Sequence, residues 1–93
     1  MTTTPTLFQL GKIVATPSAI KVMEEAGQDY RALLERHSRG DYGDLSDDDK
    51  AANERAVVNG ERIMSAYKVG ISRIYVITER DRSSTCIMLA EDY

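Results

Sequence analysis

Polar and apolar residues alternate most clearly in the last third of the chain, where three short runs have the two-residue period of β-strands. These runs cover residues 62–69, 73–78 and 85–89, with Gly70 in the first break and the charged residues 79–82 in the second. Short breaks of this composition are typical of hairpin turns. The pattern therefore predicts three consecutive antiparallel strands, and the middle strand is apolar on both faces.

The N-terminal part of the chain predicts a first strand that is followed at once by a helix. Residues 8–15 have a strand-like composition, with a bulge expected at Gly11. Thr16 is a good N-cap residue, and Pro17 suits the first helical position, where no N–H donor is needed. Gly27 is typical of the left-handed residue that ends a helix.

A second helix is predicted to begin after Asp29, which can cap it, and to end at Gly40. Four of its residues are spaced to share one face, and these are Tyr30, Leu33, Leu34 and His37. We therefore expect this face to pack on the sheet.

A third helix is predicted over residues 47–59, with Ser46 as its N-cap and Gly60 at its end. Aspartates fill its first turn, where the helix dipole favours negative charge. Its buried face is predicted to contain Ala52 and Ala56, whose small side chains allow close approach of another backbone.

Together these elements predict an α+β fold with the order β-α-α-α-β-β-β. The expected architecture is an antiparallel sheet of three to four strands with three short helices packed on it. We expect residues 1–93 to form a single domain, in which residues 1–6 are disordered.

The composition predicts a thin core, because Leu, Ile, Val and Phe together account for only 20 of the 93 residues. Helices can cover one face of the sheet, so the other face needs a second cover. We therefore expect self-association, with a homodimer among the candidate assemblies.

The charge and the N-terminal sequence narrow the classes of partner. A net charge of −3 disfavours a general nucleic-acid binder, since such proteins need clustered Lys and Arg to replace counterions. No apolar run is long enough to predict a membrane span or a secretory signal. The single cysteine, Cys86, cannot form an internal disulfide, and we expect a cytoplasmic location.

The residues suited to catalysis are few. His37 is the only histidine and could act as a general base, with Asp81 and Arg82 of the last hairpin as its partners. The alternative is that His37 is a half-buried residue at a helix end. No cofactor is expected, because the chain has no phosphate-binding glycine loop. No metal site is expected either, because the acidic loop lacks the glycine and glutamate of a calcium loop.

Two segments are candidates for docking a protein partner. The first is the acidic loop, with Asp41, Tyr42, Asp44 and Leu45, in which the tyrosine is either buried under the loop or kept for a partner. The second is the hairpin tip, which contains Arg80, Asp81, Arg82 and Ser83. Its arginines could bind a phosphate or a carboxylate, or the tip could be a solvated turn.

Three segments of the chain resemble a family of small uncharacterised bacterial proteins called plasmid-related proteins. They are FQLGKIVATP at 8–17, RGDYGDL at 39–45 with DKAAN at 49–53, and ITERDRSST at 77–85 with EDY at 91–93. The resemblance covers nearly the whole chain and implies a bacterial cytoplasm and a plasmid or another mobile element as the setting. It implies no activity and no functional residues.

We therefore expect a small non-enzymatic interaction or regulatory protein that docks on a protein partner, with counter-defence as one variant of that role. One alternative is a small enzyme or nuclease-like effector that uses His37. Another is a DNA-binding regulator, which would need a helix with more clustered basic residues than 30–39 provides.

Overall fold

The computed structural model describes residues 5–93 and has the element order that the sequence predicts. The elements are β1 (Lys12–Ala15), α1 (Pro17–Ala26), α2 (Tyr30–Ser38), α3 (Asp47–Asn59), β2 (Ile63–Val69), β3 (Ser72–Thr78) and β4 (Ser84–Leu89), followed by a 3₁₀ turn at Ala90–Asp92. The α+β class is confirmed. The predicted disorder of residues 1–6 concerns mainly residues 1–4, which lie outside the described residues.

The helix ends are set by the predicted capping residues. The side chain of Thr16 accepts a hydrogen bond from the Ala19 N–H at the start of α1. Asp29 and Ser46 cap α2 and α3 in the same way. Gly27 and Gly60 follow α1 and α3 in the left-handed conformation, with φ of 68° and 70°. Local sequence is therefore sufficient to place these ends.

The sheet has the order β1-β4-β3-β2 and is mixed. The two hairpin pairings, β2 with β3 and β3 with β4, are antiparallel as predicted. However, β1 pairs with β4 in parallel, with Val14 beside Cys86, so the prediction of a sheet antiparallel throughout was wrong. The helices and two strands lie between β1 and β4 along the chain, and a connection of this length permits either direction.

The first strand is shorter than predicted, because it begins at Lys12 rather than at residue 8. Gly11 has φ of 67°, which turns the chain out of the extended conformation before β1 begins. The residues before this turn follow a different path, and Phe8 is buried beside α2 rather than in the sheet.

Helices α1 and α2 cover one face of the sheet and form the main core with it. Their buried apolar side chains are Ala19, Met23, Leu33 and Leu34, and these pack on strand residues that include Tyr67, Ile74, Val76, Ile87 and Leu89. Tyr30 lies at the start of α2 and is exposed, so only part of the predicted face of this helix is buried.

Helix α3 lies against the outer edge of β2. The side-chain amide of Asn53 accepts from the Met64 N–H and donates to the Met64 carbonyl oxygen, at 3.2 and 2.8 Å. Asn53 and Ala56 form the buried face, whereas Ala52 is exposed, so the prediction for Ala52 was wrong. The contact is polar because the helix meets unpaired backbone groups at a strand edge.

The backbone of residues 42–44 covers the next part of the same edge. The Ala66 N–H donates to the Tyr42 carbonyl oxygen, and the Asp44 N–H donates to the Ala66 carbonyl oxygen at 2.6 Å. Asn53 thus pairs the outward N–H and C=O groups of Met64, and residues 42 and 44 pair those of Ala66. The edge formed by β2 is therefore protected against pairing with another strand.

Candidate functional site

A chain of hydrogen bonds in the core connects α2 to three strands. Nδ1 of His37 lies 2.5 Å from the Ser65 hydroxyl, and Nε2 lies 2.9 Å from the Thr78 hydroxyl. Thr78 lies 2.7 Å from Thr85, which donates to the Leu10 carbonyl oxygen. All four side chains are completely buried. We refer to His37, Ser65, Thr78 and Thr85 as the histidine–hydroxyl chain.

The carbonyl at the end of this chain fixes the direction of the hydrogen bonds from Thr85 back to His37. Thr85 uses its only proton on the Leu10 carbonyl, so Thr78 must donate to Thr85. Nε2 of His37 must then donate to Thr78. When the imidazole is neutral, Nδ1 accepts the Ser65 proton, so both ring nitrogens have a partner.

The surroundings of His37 favour the neutral form. Burial, and secondly the positive charge of Arg82, lower the pKa of His37 to about 4. The Phe8 ring packs edge-on against the imidazole, with 5.1 Å between ring centroids, and the Arg82 guanidinium lies 5.6 Å from the Phe8 centroid. His37 and Arg82 are therefore close, with an aromatic ring beside both of them.

This arrangement leaves no room for a substrate at His37. The imidazole is fully buried, both its nitrogens are occupied, and none of the best-formed grooves among residues 5–93 is lined by it. A general base must be within hydrogen-bond reach of the substrate proton or of one bridging water. In this geometry His37 fastens α2 to the sheet.

Arg82 connects the last hairpin to the end of α3 through hydrogen bonds. Its guanidinium donates to the carbonyl oxygens of Ala56, Glu61 and Glu79. The residue has φ of 59°, which is uncommon for a residue other than glycine. Three carbonyl partners hold the side chain in place, so Arg82 is not free to bind a ligand at the hairpin tip.

The other residues of the hairpin tip form a solvated turn. The Asp81 carboxylate accepts from the Ser83 N–H at 3.0 Å, and hydrogen bonding from Ser83 lowers the pKa of Asp81. Arg80, Asp81 and Ser83 are exposed. Asp81 is thus satisfied within the turn, and Arg80 is the tip residue that projects into solvent.

The acidic loop is tied to its surroundings at both of its ends. The Asp41 carboxylate accepts two hydrogen bonds from Arg36, the shorter at 2.7 Å, and Arg36 lowers the pKa of Asp41. Asp44 pairs with β2 through its backbone and exposes its side chain, while Leu45 is half-buried. The loop therefore presents carboxylates rather than apolar contacts.

Tyr42 lies under this loop with 3% of its surface exposed, which decides between the two interpretations of the tyrosine. Burial raises its pKa, and its hydroxyl has no hydrogen-bond partner among the described residues. An unpaired buried hydroxyl costs about 1–3 kcal/mol. Tyr42 contributes to the core rather than to an accessible docking surface.

We expect Tyr42→Phe to raise the free energy of unfolding by about 1 kcal/mol, because it removes the unpaired hydroxyl and keeps the ring. Urea unfolding followed by circular dichroism measures the change. Tyr67→Phe is the matched control, because the Tyr67 hydroxyl donates to the Asp41 carbonyl at 2.6 Å and its removal should destabilise the protein. A loss of stability in Tyr42→Phe would contradict the structural assignment.

The arginines of α2 are paired with acidic neighbours. The ion pairs join Arg31 with Asp29, Arg36 with Asp41 and Arg39 with Glu35, at 3.2, 2.7 and 3.9 Å. A helix that reads DNA needs basic side chains free to contact phosphates. The geometry of α2 gives no support to that role.

The clearest surface feature lies around β1, at the opposite edge of the sheet from β2. Four large apolar side chains there are between 37% and 47% exposed, and these are Ile13, Val14, Ile20 and Tyr30. We refer to these four residues as the β1 surface. A groove of about 450 Å³ runs between β1, α1 and α2, and Ile13, Ile20 and Tyr30 are among the residues that line it.

The β1 surface was not predicted from the sequence. The available signal was the pair Ile13 and Val14, two adjacent β-branched residues whose side chains point to opposite faces of one strand. Both would be buried in a central strand. Only the strand order shows that β1 is an edge, where both side chains remain exposed.

Comparison of the chain with protein-family models, with curated proteins and with solved structures finds no match. Within residues 5–93, no helix is both long enough and apolar enough to cross a membrane. No group of three or more potential metal ligands occurs in that part of the chain. The functional proposal therefore rests on the geometry of the molecule.

Proposed function

We propose that this protein is a small non-enzymatic interaction protein that docks on protein partners through the β1 surface. The observation that carries the proposal is the grouping of Ile13, Val14, Ile20 and Tyr30 around a strand edge that pairs with no other strand in residues 5–93. Isolated exposed apolar residues are ordinary, but a group of them around one open strand edge, three of which line a groove, is a mark of an interaction site.

The two edges of the sheet differ in a way that supports this proposal. The β2 edge is occupied by Asn53 and by the backbone of residues 42–44. The β1 edge has no such cover among the described residues, and Lys12 is its only charged side chain. Proteins usually protect exposed edges with charge, bulges or covering loops, so an apolar open edge is suited to pairing with another strand.

The sites suggested by the sequence are less suitable for docking. Tyr42 is buried, Arg82 is held by three carbonyl groups, and Asp41 is paired with Arg36. The burial of His37 gives no support to an enzyme or a nuclease-like effector. Among the described residues, the β1 surface is an apolar surface that remains available for docking.

The resemblance to plasmid-related proteins supplies the setting in this proposal. The setting that it implies is a bacterial cytoplasm, with the protein as cargo of a plasmid or another mobile element. A partner would then be a protein of the host or of the element itself. A counter-defence role is one form of such docking, in which the partner belongs to a host defence system.

The proposal predicts that Ile20→Asp removes a specific partner, because a charge would be buried against the apolar surface of that partner. The measurement is capture by the tagged chain from its native host after cross-linking, with recovered proteins quantified by mass spectrometry. Val58→Asp is the matched control, since Val58 is an apolar residue of α3 with 83% exposure that lies outside the β1 surface.

The expected result is a partner recovered with the original chain and with Val58→Asp, and lost with Ile20→Asp. Tyr30→Ser should reproduce the loss through a residue on a different helix. Equal recovery in all four forms would refute docking through the β1 surface. So would the absence of any protein enriched over a tag-only control, an untagged copy of this chain included.

A further inference from the structure

The unpaired edge of β1 has a defined set of hydrogen-bonding groups. The Lys12 N–H donates to Ser83, and the Thr16 N–H donates to Ile87, both at 3.0 Å, so these residues face β4. Backbone groups alternate in direction along a strand. The N–H and C=O groups of Ile13 and Ala15 therefore point away from the sheet.

The conformation of the chain limits the length of any added strand. Gly11 has φ of 67° and ends the extended segment on one side, while Pro17 begins α1 on the other. Thr16 is still extended, with φ of −73° and ψ of 150°. The extended segment thus covers residues 12–16, and Val14 is its centre.

We propose that a second copy of this chain pairs with β1 in antiparallel orientation, about a twofold axis at Val14. This inference rests on the proposed function and names the occupant of the β1 surface. In this register Ile13 of each copy lies opposite Ala15 of the other. Every outward N–H and C=O group of Ile13 and Ala15 then has a partner, and the two sheets form one continuous sheet.

The side chains also match in this register. Residues of the same parity lie on the same face of both sheets, so the apolar faces continue across the axis. Bulky Ile13 lies opposite small Ala15, and the two Val14 side chains meet on the face away from the helices. Lys12 lies opposite Thr16 of the second copy, which keeps the two lysines apart. The edge is therefore complementary to itself in shape and in charge.

The proposed interface includes the helices as well as the strand. A stable interface buries about 800 Å² per partner, which a strand of four residues cannot supply alone. Ile20 and Tyr30 lie beside β1 on the helical face, and the twofold axis brings the two copies of this groove together. The same contact removes apolar surface of each copy from water, which adds to the burial that the thin core of one copy provides.

The first test is analytical ultracentrifugation of the purified full chain across the micromolar range. We expect a reversible dimer. Val14→Lys should raise its dissociation constant at least about tenfold, because it sets two like charges directly opposite each other in place of two apolar side chains. Val14 is 40% exposed, so the folded monomer should tolerate lysine, and circular dichroism checks this. Ile71→Lys, at a fully exposed position in the β2–β3 turn, should leave the dimer unchanged.

The second test fixes the register. Opposed residues that do not exchange hydrogen bonds have Cα atoms about 4.5 Å apart, which suits a disulfide. In a Cys86→Ser background, Val14→Cys should therefore form a disulfide-linked dimer under mild oxidation. Lys12→Cys should form much less, because it faces Thr16 and not its own copy.

A chain that remains monomeric and forms no Val14→Cys dimer would overturn the second copy as occupant. A dimer that tolerates Val14→Lys or links equally well through Lys12→Cys would also overturn it. Neither result contradicts the proposed function. That function is contradicted by a different result, in which Ile20→Asp captures the same host proteins as the original chain.

Discussion

Gly43→Ala is expected to lower the free energy of unfolding by about 4 kcal/mol or more, which is among the largest effects of a single methyl group. Gly43 has φ of 76° and lies against the edge of β2, where it forms a bridge with Ala66. A Cβ atom at this position would overlap the Ala66 carbonyl oxygen and the Tyr67 ring. A domain of this size has roughly 5–14 kcal/mol of stability in total, so much of it would be lost.

Gly60→Ala is the matched control for this prediction. Gly60 has φ of 70°, nearly the same as Gly43, but a Cβ atom there would meet no neighbour within 4 Å. Only the left-handed conformation is then penalised, at about 1–2 kcal/mol. Thermal unfolding should separate the variants by more than roughly 10 °C. Similar losses in both would show that the close approach of Gly43 to β2 contributes nothing.

The contrast between these two glycines illustrates what the sequence can predict. Gly60 ends α3, and a helix end is a local event that depends on a few neighbouring residues. The capping residues Thr16, Asp29 and Ser46 were predictable for the same reason. The hairpins were also predictable, because their strands are adjacent in the chain.

The position of β1 depends on contacts that are distant in sequence. Nothing within Lys12–Ala15 specifies a parallel partner, and β4 lies more than sixty residues further along the chain. The β1 surface follows from this strand order, since the same residues would be buried in a central strand. Local sequence patterns therefore could not predict the β1 surface, because it is defined by the order of the strands in the sheet.

The roles of Arg82 and His37 were missed for a similar reason. Each lies in a polar stretch of sequence, but it contacts backbone carbonyls or side chains of remote elements. The histidine–hydroxyl chain did leave a signal. In each of the three strands, one hydroxyl residue alternates in step with the apolar residues that point into the core, and these are Ser65, Thr78 and Thr85. The sequence therefore predicts three hydroxyl groups on the buried face of the sheet, which α2 covers with His37.

The histidine–hydroxyl chain also makes the protein sensitive to mild acid. Burial holds the pKa of His37 at about 4, whereas an unfolded histidine titrates near 6.5. Between these values the unfolded chain binds a proton that the folded protein does not, so stability falls as the pH falls. The contribution of His37 is complete above pH 6.5 and is lost progressively down to about pH 4, with a total loss of about 3 kcal/mol.

The pH window separates His37 from the carboxylates. Hydrogen bonds lower the pKa values of Asp29, Asp41 and Asp81, so the stability that these groups contribute is lost at a pH below the window of His37. Urea unfolding at several pH values between 7.5 and 4.5 should therefore report the histidine. His37→Gln keeps one donor and one acceptor without a charge, and its stability should change little over this range.

Nuclear magnetic resonance gives a direct reading, because His37 is the only histidine in the sequence. We expect its ring signals in the folded protein to remain those of the neutral Nε2–H form down to about pH 5, since protonation of Nδ1 would displace the Ser65 proton. A titration midpoint of His37 near pH 6.5 in the folded state would contradict the buried histidine–hydroxyl chain, because it would show that protonation of His37 does not destabilise the folded protein. So would a His37→Gln variant whose stability keeps the original dependence on pH.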